Sequence, residues 1–361
     1  IPRARSGDRF RGIALACPML LGEAVMTSLL ALPGQMWAAT CACFAAYPLL
    51  APFTVIGFLS MLTYVGILLV QNLIVDTCMS DNLAKRYDAQ WAVVTGGSSG
   101  IGRAIVEKLV KQGVNVVIVA LQDNLLDDFH AELVAKHPHL QFRKVGVSLA
   151  EKDEQVYMKP IIDATSDIHV SLLFNNAGFI CVGFFQDVPL GKWLANYHCN
   201  ATCAIPITHH FLNKMLASGR RGLLAYTSSS ACLFPNPFSS LYASTKAFLT
   251  LFASSIAAEV RSLGIDVVVV HPSPMATNFF KAGEGLDMLM AFKKIAQGPN
   301  VIADVLFSSA GRFVVRDQGA ITIIFRLLLK VLDPTFFTEL TSWFAHTTGD
   351  FKKFSKQRKQ S

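Results

Sequence analysis

Two residues in the stretch "LYASTKAF" have the types and spacing for chemistry: Tyr242 and Lys246. At i and i+4 they share one face of a helix. Burying a phenol with an ammonium is costly unless each serves the other. Together they make a proton donor beside a charge that tunes it. The plain alternative is an amphipathic helix with one polar edge, and the pair alone does not separate the two.

A second pattern stands upstream. "TGGSSGIG", Thr95 to Gly102, places glycines at 96, 100 and 102 directly after an apolar run and at the opening of a helical one. Such glycines permit a tight turn, close approach of backbone to a pyrophosphate, and packing of helix on strand. The helix start at Ile101 offers free N–H groups to phosphate.

The elements that must position these groups alternate along the chain. "WAVVT", "VNVVIVA", "FRKVGV", "HVSLLFNNAG", "GLLAYTSSS" and "IDVVVVHPSP" read as strands, with helical stretches between them. Strands hydrophobic on both faces and separated by helices indicate a parallel sheet covered on both sides. The expected fold class is α/β, a doubly wound parallel sheet of the dinucleotide-binding (Rossmann) type.

With the glycine spacing GxxxGxG the chain resembles the short-chain dehydrogenase/reductase superfamily over roughly Gln90 to Ala282. "NNAG" (175–178) stands where that family steadies its sheet beside the adenosine, and Tyr242 and Lys246 match its YxxxK. Ser229, thirteen residues before Tyr242, takes the place of its catalytic serine. Asn200 in "YHCNATC" matches the fourth catalytic position, and "HPSPMAT" (271–277) matches the segment that closes over nicotinamide. The resemblance implies a catalytic set of Asn200, Ser229, Tyr242 and Lys246, with no metal. It implies a cofactor site of Thr95, Gly96, Ser98, Ser99, Gly100, Ile101, Gly102, Asn175, Ala177, Gly178, Tyr242, Lys246, Pro272 and Thr277.

In that mechanism Lys246, together with the cationic nicotinamide of the oxidised complex, lowers the phenol's pKa, and it also holds the nicotinamide ribose. Ser229 bonds the substrate oxygen, and Asn200 holds a water that reaches Lys246. Ser228 and Ser230 are expected to face the other way along the strand. The chain departs from the family at Ser273, where a glycine is usual, and at Ser148, Ser99, Ala120 and Leu121. No acid closes the second strand, which favours NADP(H). Asp123 lies 21 residues after Gly102, near the roughly 20 expected for an acid on the ribose 2′-hydroxyl, so NAD(H) is not excluded.

Of the 361 residues 52% are hydrophobic and 16% charged, and the excess is local. From Gly12 to Val75 the only charged side chain is Glu23, and residues 53–75 form an uninterrupted apolar run. A span needs about 20 residues and a signal-peptide core only about 7–15, so this region is read as a membrane anchor. The preceding stretch from Glu23 is long enough for a second span, but Pro33, Pro48 and Pro52 leave its limits open. The net charge of +7 sits at the ends: four arginines against Asp8 in the first eleven residues, five cations in the last eleven. A nearly neutral body with basic ends fits anionic membrane lipids and not nucleic acid. The eight cysteines show neither CxxC nor zinc spacing and are read as reduced thiols. Ile1 is not a methionine, and the sequence leaves open what precedes it.

The expected organisation is a basic segment (1–11), a transmembrane region (12–75) and a linker (76–90). A catalytic domain (91–300), substrate-side or membrane-proximal helices (301–350) and a basic tail (351–361) follow. "ITIIFRLLLKVL" (321–332) suits either a helix lying in the membrane interface, with Arg326 and Lys330 at the headgroups, or a helix packed on the sheet.

Within the family two groups are most similar. The 17β-hydroxysteroid dehydrogenase/very-long-chain 3-oxoacyl-CoA reductase group matches around "FQDVP", "LYASTKAF" and "PSPMAT", and the 3-ketosphinganine reductases match in "TGGSSGIG" and the spacing from "NNAG" to Asn200. Either implies a lipid or steroid-like ketone reduced at the endoplasmic reticulum by a cytosol-facing domain, as a monomer or homodimer. The reading from another class is a non-catalytic, membrane-anchored structural subunit, whose mark would be a damaged catalytic set; this one is intact.

Overall fold

The computed structural model describes residues 50–76, 82–279 and 286–359. The basic N-terminal segment, the earlier candidate span and most of the linker's first half lie outside the described residues. The chain divides into two compact units, Ile1–Val70 and Gln71–Ser361.

In the first unit the described part is α1 (Leu50–Leu69), which continues as a π-helical stretch, Val70–Val75. Thr54–Leu73 is long and apolar enough to cross a membrane. It is 11% buried, which sets it apart from a core helix of the same composition.

The second unit opens with α2 (Leu83–Tyr87) and then alternates β1 (Trp91–Thr95), α3 (Gly100–Lys111), β2 (Asn115–Ala120), α4 (Asn124–Lys136) and β3 (Phe142–Gly146). It continues with α5 (Gln155–Asp163), β4 (Val170–Asn175), α6 (Leu190–Tyr197), α7 (Ala204–Ser218) and β5 (Gly222–Thr227), then α8 (Ser240–Val260) and β6 (Ile265–Pro272). All pairings are parallel and the strand order is β3-β2-β1-β4-β5-β6-β7, β7 being Val315–Gln318. The order reverses between β1 and β4, and a crevice opens there at the carboxyl ends of the strands.

The period of two in each strand decides the two cores. Ala92, Val94, Val116, Ile118 and Phe174 face α3, α4 and the later helix Asn300–Ser309. Val93, Val117, Val119, Leu173 and Tyr226 face α5, α7 and α8. Burial on both faces explains why the strands read as continuous apolar runs.

The sheet runs on past residue 300. α9 (Asp287–Lys293) and α10 (Asn300–Ser309) lead into a seventh strand, β7 (Val315–Gln318), which pairs with β6. Sequence pattern misses β7 because "VRDQ" is polar. Its polar side chains are nonetheless buried: Arg316 pairs with Asp76 at 2.7 Å, and Asp317 with His271 at 2.7 Å.

Three helices close the chain: α11 (Ala320–Val331), α12 (Pro334–Phe344) and α13 (Gly349–Arg358). The basic tail is therefore helical, with Lys352, Lys356, Arg358 and Lys359 exposed. Phe351 and Phe354 pack on Phe184 and Phe238, and Lys353 reaches Asp287 at 3.1 Å.

Candidate active site

β1 ends in the glycine turn. Gly96 has φ +64°, and a β-carbon there would lie 2.9 Å from Ala177 Cα; a side chain is excluded both by conformation and by space. A β-carbon on Gly102 would overlap the Gly96 carbonyl oxygen, so helix and turn can pack this closely only with glycine. Ser99 precedes α3 without a side-chain cap, which leaves the first-turn N–H groups facing the crevice.

Thr95 and Asn175 do structural work beside the cavity. The Thr95 hydroxyl accepts from the N–H groups of Asn176 (3.0 Å) and Ala177 (3.1 Å), tying the end of β1 to the end of β4. Asn175 donates to Thr208 at 3.0 Å. Asn176 was not foreseen: its amide donates to the carbonyls of Thr95 and Gly96 at 3.2 and 3.4 Å, holding the turn from below.

A cavity of about 550 Å³ runs from this turn to the C-terminal helices. Its walls include Gly96, Ser98, Ser99, Gly100 and Ile101 at one end, and Ile321 and Phe325 at the other. Ala177, Gly178, Ser229, Tyr242, Lys246, Pro272 and Thr277 also line it. Thr95, Gly102, Asn175 and Asn200 stand behind the lining.

Tyr242 and Lys246 are both buried on α8, with Lys246 Nζ 5.8 Å from the Tyr242 ring centre. Burial pushes the phenol up to about 12, although Ser229 hydrogen-bonds it and pulls the other way. Desolvation dominates at the phenol, and one of the three ammonium donors of Lys246 goes to the Thr227 carbonyl at 2.9 Å. The same burial lowers Lys246 to about 8. Ser229 Oγ accepts from the Ala231 N–H at 3.1 Å, and its own hydroxyl proton is directed at the Tyr242 oxygen. Ser228 turns away, donating to the Lys246 carbonyl at 2.7 Å and so holding α8 on β5.

Asn200 lies in a π-helical stretch, His198–Thr202, between α6 and α7; such bulges redirect side chains. Its Oδ1 accepts from Phe179 N–H (2.9 Å) and its amide donates to the Phe179 carbonyl (2.8 Å). The amide thus clamps the loop after β4. A β-carbon on Gly178 would sit 3.1 Å from Asn200 Oδ1 and 3.2 Å from Lys246 Nζ, so glycine there lets all three meet.

The short chain dehydrogenase profile matches residues 90–284. The chain belongs to the short-chain dehydrogenase family. A very-long-chain 3-oxoacyl-CoA reductase-like protein of Arabidopsis thaliana is 26% identical over 71% of this chain and 81% of its own length. Mouse 17-beta-hydroxysteroid dehydrogenase type 3 is 31% identical over 53% of this chain, and human very-long-chain 3-oxoacyl-CoA reductase is 31% identical over 53%. The match spans about three fifths of those two relatives, 62% and 61%. Among solved structures a 7beta-hydroxysteroid dehydrogenase superposes with a TM-score of 0.62 at 22% identity, covering 70% of this short-chain dehydrogenase and 95% of that chain. That likeness shows the fold.

Proposed function

We propose that this short-chain dehydrogenase is a membrane-anchored oxidoreductase that reduces the ketone of a lipid, a 3-oxoacyl-CoA or steroid-like substrate, to a hydroxyl. The observation that carries the reading is a proton-holding phenol, Tyr242, beside Ser229 and Lys246 in a cavity whose far end is apolar. The names of the plant, mouse and human relatives support the substrate class.

The crevice fits a nicotinamide dinucleotide: a glycine turn, an uncapped helix start and an open lining past Gly178. Gly96, Ser98, Ser99, Gly100 and Ile101 would hold its phosphates, and Ala177, Gly178, Lys246, Pro272 and Thr277 its nicotinamide half. When bound, that group supplies a hydride to the carbonyl carbon. The protein supplies the rest. Ser229 turns its hydroxyl to hydrogen-bond the substrate oxygen as negative charge gathers there, without giving up its proton. Tyr242 holds its proton at neutral pH and gives it to that oxygen, leaving the alcohol. Lys246, charged below about 8, stabilises the phenolate left behind, and Asn200 keeps the Phe179 loop in register with it.

NADP(H) is the favoured cofactor. Asp123 lines the adenosine end but one of its oxygens accepts the Leu126 N–H at 3.0 Å, capping α4. Localisation at the endoplasmic reticulum with a cytosol-facing domain, and a second copy of the chain as partner, belong to the same reading. The test is turnover by the purified full-length protein in detergent: NADPH consumption with 3-oxoacyl-CoA and with steroid ketones. Absence of turnover with both would overturn the reading.

A further inference from the structure

α11 builds one wall of the substrate end of the cavity. Ile321 and Phe325 project into it, and Phe325 packs on Phe234 with ring centres 4.4 Å apart. The neighbouring side of α11, which carries Thr322 and Arg326, is fastened to the sheet at two points. Arg326 sends Nε to Asp317 Oδ2 (2.9 Å) and Nη2 to Oδ1 (3.0 Å), a fork on a nearly buried carboxylate. His271 Nδ1 meets the same carboxylate at 2.7 Å, and its Nε2 meets Thr250 Oγ1 at 3.0 Å. Thr250 in turn donates to the carbonyl of Lys246 at 3.0 Å. The second point is Ser273: its Oγ accepts the Thr322 N–H at 3.1 Å and lies 3.0 Å from the Thr322 hydroxyl. Gly319, at φ +81°, starts α11 where a β-carbon would lie 2.5 Å from Ser273 Oγ.

We propose that Arg326, with Ser273 as second anchor, is a specificity-determining positioning residue that sets the distance of the Ile321–Phe325 wall from Tyr242. The Arg326 end reaches β6 through His271 and, through Thr250, the helix that carries Lys246, while the Ser273 end lies just past Pro272. A wall held from behind by charge and hydroxyl keeps one spacing, and spacing selects the width and length of the acyl or sterol body admitted. Ser273, the departure from the family's usual glycine, is thereby given a purpose: it supplies an oxygen for the first turn of α11 that glycine lacks.

The inference rests on the lipid-ketone reading, and the test separates the two. Full-length Arg326→Gln, Arg326→Lys and Thr322→Val proteins are assayed across a chain-length series of 3-oxoacyl-CoA, with nucleotide affinity from fluorescence quenching. Arg326→Gln is expected to raise KM for long substrates about tenfold, at unchanged kcat and nucleotide affinity. Arg326→Lys, which keeps the charge without the fork, recovers part of that loss, and Thr322→Val gives a smaller rise of the same kind. A chain-length profile identical to wild type, or kcat and nucleotide affinity falling together with KM, overturns the clasp. If wild type turns over no ketone, the reading of the reaction fails while the clasp is still read by amide hydrogen exchange. Faster exchange confined to residues 320–331 in Arg326→Gln supports it, and unchanged exchange there overturns it.

Discussion

Tyr242, Ser229 and Lys246 divide the proton chemistry by environment. The buried phenol stays protonated, so Tyr242→Phe is expected to lower ketone reduction by at least a hundredfold while nucleotide binding is kept; general acids contribute about 10²–10⁴-fold. Retention of more than about a hundredth of the activity would remove the assignment. Lys246 is lowered to about 8 by burial. Its charged form is the active one, so kcat/KM for reduction falls as pH rises through about 8, and a rate flat to pH 10 would contradict this. At the adenosine end the expected result is a preference for NADPH that persists in Asp123→Ala. An NADH preference lost in that variant would show Asp123 on the ribose.

At the scale of elements, β6, β7 and α11 share a buried charge cluster with a definite pH signature. Burial opposes the His271 charge, but hydrogen bonds that the imidazolium donates to Asp317 and Cys232 outweigh it and raise the group to about 9. A raised folded pKa contributes stability fully below the unfolded value, about 6.5, and loses it as pH rises through about 9. Asp317 is held well below the carboxylate range by His271 and Arg326 despite its burial, so its contribution fades only on acidification below about 3.9. The melting temperature of the wild type should therefore drop between pH 6.5 and 9 by more than that of His271→Gln; equal slopes would refute the cluster's role. α11 also shows an outer face: Ile324, Leu328 and Val331 are exposed, as are Phe336, Trp343 and Phe344 on α12. An apolar face this broad suits the membrane interface. The sequence offered interface or sheet packing as alternatives; in the structure Arg326 turns inward to Asp317 and serves the second, while this stripe is free for the first.

For the whole molecule, the first described residues of the second unit matter to its stability. Asp76 bonds Ser308 at 2.7 Å and pairs with Arg316, whose side chain is 1% exposed. Deleting residues 1–76 strips that carboxylate from a buried guanidinium, whereas deleting 1–70 keeps it. The longer product should be the more stable by up to about 3 kcal/mol, less than a fully buried pair because Asp76 is partly in water. Denaturant midpoints of the two truncations check this, and equal midpoints would refute it. Both truncations should leave the membrane fraction on alkaline carbonate washing, while the full chain stays.

Periodicity and glycine spacing made the alternating parallel sheet, the phosphate turn and the Tyr242–Lys246 pair legible, because those signals are local: period two, period 3.6, and residues that only glycine can replace. The resemblance added Ser229 and Asn200, whose distance from Tyr242 along the chain carries no local signal. What tertiary structure alone decided lies between elements. β7 reads as a polar loop until Asp76, His271 and Arg326 arrive to neutralise it. The phenol's pKa rises because burial is a property of the assembled cavity, which no local pair reveals. The departure at Ser273 becomes an anchor only when Thr322, 49 residues later, is folded onto it. Partners supplied from distant chain positions set charge balance and spacing, and no window of sequence contains them.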